Sequence, residues 1–119
     1  MEVGIDIVEI KRVDKLIREW GDHFLHRVFT ELEIRDWQRS GKRTSFLAGR
    51  FAAKEAFLKA YGNSMRFKDI EISKDATGKP IMNFKNPKAR DLAKRTIVSI
   101  SHTKDIANAI VIIKNDSID

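Results

Sequence analysis

The sequence predicts an α+β fold in which a largely antiparallel sheet packs against one long central helix. Three observations carry this expectation. In Phe46–Tyr61, FLAGRFAAKEAFLKAY, the small residues Ala48, Ala52, Ala56 and Ala60 recur at every fourth position, so another backbone can approach one side closely. Glu2–Glu9 opens the chain with strand alternation. After the helical region, short strand patterns return in two pairs with a brief helix between them.

In chain order, Val3, Ile5 and Ile7 point to one side of the first strand and Gly4, Asp6 and Val8 to the other. Asp is depleted inside strands, so Asp6 stands out there; an edge position or a helix cap is the plain alternative. Gly4 leaves room for a ligand or a second backbone. From Ile10 the period becomes helical. Ile10, Val13, Leu16, Ile17 and Trp20 form an apolar face, Lys11, Arg12, Lys15 and Arg18 an exposed basic stripe, and Gly21 the stop. Phe24–Phe29 suggests a short helical turn. Thr30-Glu31-Leu32-Glu33 is a capping-box sequence for a short helix carrying Leu32, Ile34 and Trp37 and ending at Ser40-Gly41. His23 and His26 have no carboxylate or thiol at ligand spacing and read as surface residues.

The central helix follows, with Thr44 or Ser45 at its cap and Gly62 at its end. Phe46, Leu47, Phe51, Phe57 and Leu58 give it bulky contacts and make it mostly buried, yet it carries Arg50, Lys54, Glu55 and Lys59. Charges interleaved with so much Ala and Phe need partners once water is excluded. Asp69–Lys74 and Pro80–Phe84 then read as strands around a turn at Asp75–Gly78. Asn86-Pro87 opens a helix to about Lys94. Thr96–Thr103 and Ala107–Lys114 are strands around Lys104-Asp105, and the apolar run Ala109–Ile113 marks the second as central and covered on both faces. Asn115–Asp119 is a polar tail.

The bulk properties narrow the function. A chain of 119 residues is expected to form one domain, 1–119, with a single core. No apolar run approaches the roughly 18 residues of a membrane span, and the acidic, alternating start is unlike a secretory signal. The absence of cysteine excludes disulfides and thiolate chemistry and fits a reducing cytoplasm. A net charge of +6 favours a polyanionic partner: nucleic acid, a phosphate-bearing ligand, an acidic protein or anionic lipid. A nucleic-acid module is disfavoured because Trp20, Trp37 and Tyr61 read as helix-face or core residues rather than a stacking platform, and because it gives no reason for Asp6 and Glu55.

No Walker loop, dinucleotide fingerprint or nucleophile elbow is present. Asp6 and Glu55, on different elements, are able to share a hard cation such as Mg²⁺, whose shell is completed by water and substrate phosphates. Neighbouring Lys and Arg suit phosphoryl oxygens. From the residues alone, this is a candidate Mg²⁺–phosphate site.

Four motifs carry a resemblance. GIDIVEIKR at Gly4–Arg12, GRFAAKEAFLKA at Gly49–Ala60, GKP at Gly78–Pro80 and VSISHTK at Val98–Lys104 together resemble the short holo-[acyl-carrier-protein] synthases, which are 4′-phosphopantetheinyl transferases. The likeness runs in register over nearly the whole chain. It implies the transferase fold and transfer of phosphopantetheine from coenzyme A to a serine of apo-acyl carrier protein. The other product would be adenosine 3′,5′-bisphosphate, and the pathway fatty acid biosynthesis.

By the same resemblance Asp6 and Glu55 hold Mg²⁺, and Glu55 or a metal-bound water takes the serine proton. Lys59 stabilises or protonates the leaving phosphate. Arg50, Gly78, Lys79, Pro80, Ser101, His102 and Thr103 bind coenzyme A, with Lys42 or Arg43 beside them. Arg12, Lys15 and Arg18 dock the acidic carrier. Larger two-lobed transferases carry an Asp-x-Glu pair, whereas Val8 occupies the second position here, so metal ligation falls to Asp6, Glu55, water and substrate. The short chain has half of a two-lobed site, so a neighbouring subunit should supply the rest. The resemblance implies a homotrimer with sites between subunits, and no nucleic-acid or membrane partner is expected.

Overall fold

The structure, a computed structural model, describes residues 1–116. Strand β1 (Glu2–Glu9) runs into helix α1 (Ile10–Trp20), followed by α2 (Asp22–Val28), α3 (Glu31–Arg39) and the long α4 (Thr44–Tyr61). A short 3₁₀ turn at Phe67–Asp69 precedes β2 (Ile70–Lys74) and β3 (Pro80–Phe84). A second 3₁₀ turn at Pro87–Ala89 leads into α5 (Arg90–Arg95), and β4 (Thr96–His102) and β5 (Ile106–Ile113) close the chain. The polar tail expected at Asn115–Asp119 lies outside the described residues beyond Asp116.

The strands form two antiparallel sheets rather than one. Three strands are ordered β1-β5-β4, and β2 and β3 make a separate hairpin. Asp6 faces Ala109 across the first ladder, and Ala109 faces Ile100 across the second. Asp6 is therefore on an edge strand, and its place in an apolar run needs no ladder partner on the open side.

Helix α4 lies on the face of the large sheet made by Gly4, Val8, Ala107, Ala109, Val111 and Val98, all buried. Small residues on both sides set how close it comes. Ala48, Ala52 and Ala56 are fully buried, and a Cβ placed on Gly4 would overlap the Ala56 carbonyl oxygen and lie 2.9 Å from the Ala60 nitrogen. The opposite side of α4 is aromatic. Phe51 meets Phe24 and Phe67 edge-on, with ring centres 6.2 and 5.7 Å apart, and Phe57 packs 4.8 Å from Phe84 on the hairpin. One helix thus joins both sheets.

Several local expectations change. Strand β5 is central, but only one of its faces is covered within the chain: Val3, Ile5, Ile7, Ile97 and Ile110 form an outward apolar face, with Ile5 55% and Ile7 62% exposed. Trp20 is 58% exposed, because the buried stripe of α1 ends before it. The N-cap of α4 is Arg43, with no side-chain cap; the Thr44 hydroxyl instead donates to Asp14 Oδ1 at 3.4 Å. The turn expected at Phe24–Phe29 proves to be most of a true helix, α2, with Phe29 as its extended C-cap, and the stretch after Asn86 divides into a 3₁₀ turn and α5. The capping box of α3 is formed as expected, with Thr30 Oγ1 accepting from the Glu33 amide and Glu33 Oε1 from the Thr30 amide.

Candidate active site

Alternation along β1 turns Gly4, Asp6 and Val8 toward α4, and the close approach permitted by Gly4 brings the last two turns of α4 alongside Asp6. Lys59 Nζ donates to Asp6 Oδ1 at 2.9 Å and to the Ile5 carbonyl at 3.1 Å. Glu55, one turn earlier on α4, is half-buried. Desolvation, reinforced by the charge of Asp6, pushes its carboxyl above the usual range, while Lys59 and Arg12 pull the other way. Asp6, Glu55, Lys59 and Arg12 are thus within electrostatic reach of one another, from β1, α4 and α1.

Two carboxylates that repel each other, with an ammonium hydrogen-bonded to only one, form a donor set suited to a hard dication. Among the described residues no cluster of three or more His, Cys, Asp or Glu groups is present. Two carboxylates leave positions for water and phosphate oxygens, which is how Mg²⁺ is commonly held.

A second group surrounds the end of β4. His102, Thr103 and Lys104, with Ile10, Arg43, Thr44 and Ser45, line a cavity of about 560 Å³. The Thr103 hydroxyl oxygen accepts from the amides of Asp105 and Ile106, both at 3.2 Å, which fixes the turn. His102 Nδ1 lies 3.2 Å from the Thr103 carbonyl. Ser101, next in sequence, points to the outward face, where its hydroxyl bonds Asn108. Ser101 and His102 therefore serve opposite sides of the sheet in one chain.

Arg43 also borders a neighbouring cavity of about 510 Å³, walled by Leu32, Asp36, Arg39, Ser40, Phe46, Ser73 and Lys74. The Arg50 guanidinium stacks 3.9 Å from the centre of the Phe46 ring. It is buried, and its Nε and Nη2 have no hydrogen-bond partner. Burial holds its pKa below the ordinary value, with Glu33 and Asp36 opposing. A sealed guanidinium without acceptors suits an anion. Lys42 lies elsewhere, over the Trp37 ring at 5.9 Å.

The remaining candidates are apart. Gly78, Lys79 and Pro80 sit at the tip of the β2–β3 hairpin, where Gly78 has φ +89° and Asp75 Oδ1 accepts from the Lys79 amide at 3.0 Å. Among the described residues no hydrogen bond or ion pair joins this tip to Asp6, Glu55 or His102. On α1, Lys15 pairs with Glu19 and Arg18 with Asp14. The sequence reading missed Asp36 and Arg39 as cavity residues. The i, i+4, i+7 spacing of Leu32, Asp36 and Arg39 on α3 is the signal that would have grouped them.

Comparison with known proteins gives a consistent result. The sequence profile of the 4′-phosphopantetheinyl transferase superfamily matches residues 2–111. A holo-[acyl-carrier-protein] synthase of Halothermothrix orenii is 40% identical over 92% of this chain and 94% of its own. One from a Geobacillus species is 45% identical over 94% of each. Among solved structures, the Neisseria meningitidis holo-[acyl-carrier-protein] synthase superposes with a TM-score of 0.85 at 35% identity, covering 96% of this chain and 98% of that one. The Helicobacter pylori enzyme in complex with coenzyme A gives 0.81 at 33% identity, covering 94% and 99%. With this coverage from end to end, the chain belongs to the 4′-phosphopantetheinyl transferase superfamily and, within it, to the holo-[acyl-carrier-protein] synthases.

Proposed function

We propose that this chain, acting as one transferase domain, moves 4′-phosphopantetheine from coenzyme A to a serine hydroxyl of apo-acyl carrier protein. The products are holo-acyl carrier protein and adenosine 3′,5′-bisphosphate. The reaction is Mg²⁺-dependent, serves fatty acid biosynthesis and takes place in the cytoplasm. The observation that carries this reading is the Asp6–Glu55–Lys59 cluster, two mutually repelling carboxylates with a lysine 2.9 Å from one of them.

In the transfer, the serine oxygen forms a bond to the phosphorus that carries pantetheine. The bridging pyrophosphate bond breaks, and its electron pair leaves with the 5′-phosphate of the nucleotide. Asp6 and Glu55 would hold Mg²⁺; when bound, the ion polarises the attacked phosphoryl group and offsets charge on the leaving phosphate. Glu55, or a water beside it, takes the serine proton. Lys59, one turn beyond, neutralises or protonates the leaving phosphate. Arg50, Arg43, His102 and Thr103 fit the nucleotide and its phosphates, with Phe46 offering an aromatic wall. Arg12, Lys15 and Arg18 face an acidic carrier, Arg12 next to the chemistry and the other two within pairs on their own helix.

The assembly is a homotrimer in which a neighbouring subunit completes each site. Support comes from the outward apolar face around Ile5, Ile7 and Ile110, and from the hairpin tip with Lys79, which belongs to the separate β2–β3 sheet and, among the described residues, makes no hydrogen bond or ion pair to the Asp6 cluster. The deciding test is the intact mass of an apo-acyl carrier protein after incubation with this protein, coenzyme A and Mg²⁺. A gain of one phosphopantetheine, lost with chelator and in Asp6→Asn, is the expected result. No gain with any of several carriers, from a folded protein, would overturn the assignment.

A further inference from the structure

Glu33 and Lys54 are both fully buried, a rare place for two charges. Lys54 Nζ donates to Glu33 Oε1 at 2.6 Å, to the Val28 carbonyl at 2.7 Å and to the Phe67 carbonyl at 3.0 Å, which uses all of its protons. Glu33 also accepts the Thr30 amide on Oε1 at 2.8 Å and the Ile72 amide on Oε2 at 2.7 Å. The pair is a closed polar knot joining α2, α3, α4 and the hairpin. Replacing such a pair with apolar residues is often neutral for stability, so stability alone gives little reason for it.

Arg50 stands one turn before Lys54 on α4, and Glu33 is the largest opposing charge it feels, ahead of Asp36. Glu33 thus acts electrostatically on two cations, one turn apart on α4, and is bonded to one of them. Its oxygens are taken by Lys54 and two amides, and Nε and Nη2 of Arg50 remain without acceptors beneath Phe46. We propose that Lys54 is a positioning residue for the Arg50 anion site: by occupying Glu33, it keeps the guanidinium free for a phosphate of a nucleotide held in the Phe46 cavity. This rests on reading that cavity as part of the coenzyme A site.

Without Lys54, Glu33 becomes an unpaired buried carboxylate near a guanidinium whose fork matches carboxylate geometry. Arg50 then turns to Glu33, and the anion site is neutralised from inside. Removing the charge of Glu33 as well releases Arg50 again. A merely structural Lys54 predicts something different, namely that binding follows thermal stability in every variant and that the second substitution rescues nothing.

The test is calorimetric titration of adenosine 3′,5′-bisphosphate into the full chain, with Tm recorded for each protein. Arg50→Met and Lys54→Met should each weaken binding by about tenfold or more, the scale of one charge-assisted contact. Glu33→Gln and the double variant Glu33→Gln/Lys54→Met should stay within about threefold of the parent. A folded Lys54→Met that binds like the parent, or a folded double variant as weak as Lys54→Met, would overturn the proposal. If Lys54→Met does not fold, Glu33→Gln decides, since a folded Glu33→Gln that loses binding contradicts it. Binding unchanged in Arg50→Met would instead remove the nucleotide reading of the cavity, and the proposal with it.

Discussion

Lys59 donates to Asp6 across the junction of α4 and β1, and the same ammonium reaches the Ile5 carbonyl. The contact joins the helix that carries Glu55 to the strand that carries the second carboxylate, so one lysine both neutralises Asp6 and marks where a phosphate's charge would be met. Asp6→Asn keeps the shape of the site and removes the charge. Transfer should fall by about 10²–10³-fold, the scale of losing one preorganised electrostatic group. Lys59→Met should fall by a similar factor in kcat. Assay of phosphopantetheine incorporation checks both, and a drop of less than threefold in Asp6→Asn would remove it from the catalytic group.

Glu55 should titrate abnormally in the metal-free protein. Burial and the charge of Asp6 raise its pKa, so its ionised form appears at a higher pH than for an ordinary glutamate. Its carboxyl resonance, followed by NMR without Mg²⁺, should therefore titrate above the normal carboxylate range. Asp6→Asn removes the repulsion and should move the titration down; Lys59→Met removes an attraction and should move it up; added Mg²⁺ should abolish the upward shift. Linkage has the corresponding sign. A carboxyl whose folded pKa is raised stabilises the fold below its unfolded pKa, and that contribution is lost as pH rises through the folded pKa. Glu55→Gln should be inactive, yet melt higher than the parent at neutral pH.

Gly4 is required by the same junction. A Cβ there runs into the backbone of α4 at Ala56 and Ala60, which cannot rotate away as a side chain would. Gly4→Ala should destabilise by about 2–3 kcal/mol through overpacking and should displace Lys59 from Asp6. Thermal unfolding measures the first effect and the activity of the surviving folded protein the second. An unchanged Tm would mean that α4 shifts freely on the sheet.

Local chemistry was legible where one residue type settles the matter. The Ala48–Ala60 spacing gave the central helix, the Thr30–Glu33 box gave α3, and Gly62 gave the stop of α4, because each is a short-range signal. Asp6 and Glu55 were recognisable as charges out of place in apolar elements. The division of the strands into two sheets was not, since hydrophobic alternation fixes a strand's faces but not its neighbours. Trp20 continues the apolar period of α1, but period does not fix burial, and the buried part of that face ends before the helix does. Lys54 and Arg50 looked alike, as i,i+4 cations on one helix. Only the fold separates them, by delivering Glu33 to one and leaving two nitrogens of the other unpartnered.

The basic stripe of α1 should contribute unevenly to carrier binding. Lys15 and Arg18 are already paired with Glu19 and Asp14 on exposed positions, and exposed pairs of this kind hold little energy. Arg12 lies beside Glu55 and close to the chemistry. Arg12→Glu should raise KM for the carrier by about tenfold or more, whereas Arg18→Ala should change it by less than about threefold. Raising salt should reduce the difference, because screening acts on the steering field. Steady-state kinetics at two ionic strengths distinguish this from a uniform role of the stripe.

The outward face of the large sheet gives the last prediction. Ile5 pairs with Ile110 across the β1–β5 ladder, and both are exposed, as are Val3, Ile7 and Ile97 around them. A contiguous apolar patch of this kind marks an interaction surface, and sheet faces are normally covered. The fold of the single chain does not depend on it, because the core lies on the other side, between the sheet and α4. Ile5→Asp or Ile110→Arg should therefore leave the far-ultraviolet circular dichroism spectrum intact, while the mass measured by light scattering falls to that of one chain. If Lys79 or His102 acts on a ligand held by the neighbour's Asp6 and Glu55, transfer should be lost together with assembly. Mixing an assembly-competent Asp6→Asn protein with an assembly-competent Lys79→Ala protein should then restore part of the parent activity, since some mixed interfaces combine two unaltered halves. Full activity in a monomeric Ile5→Asp variant would show that one chain holds the complete site.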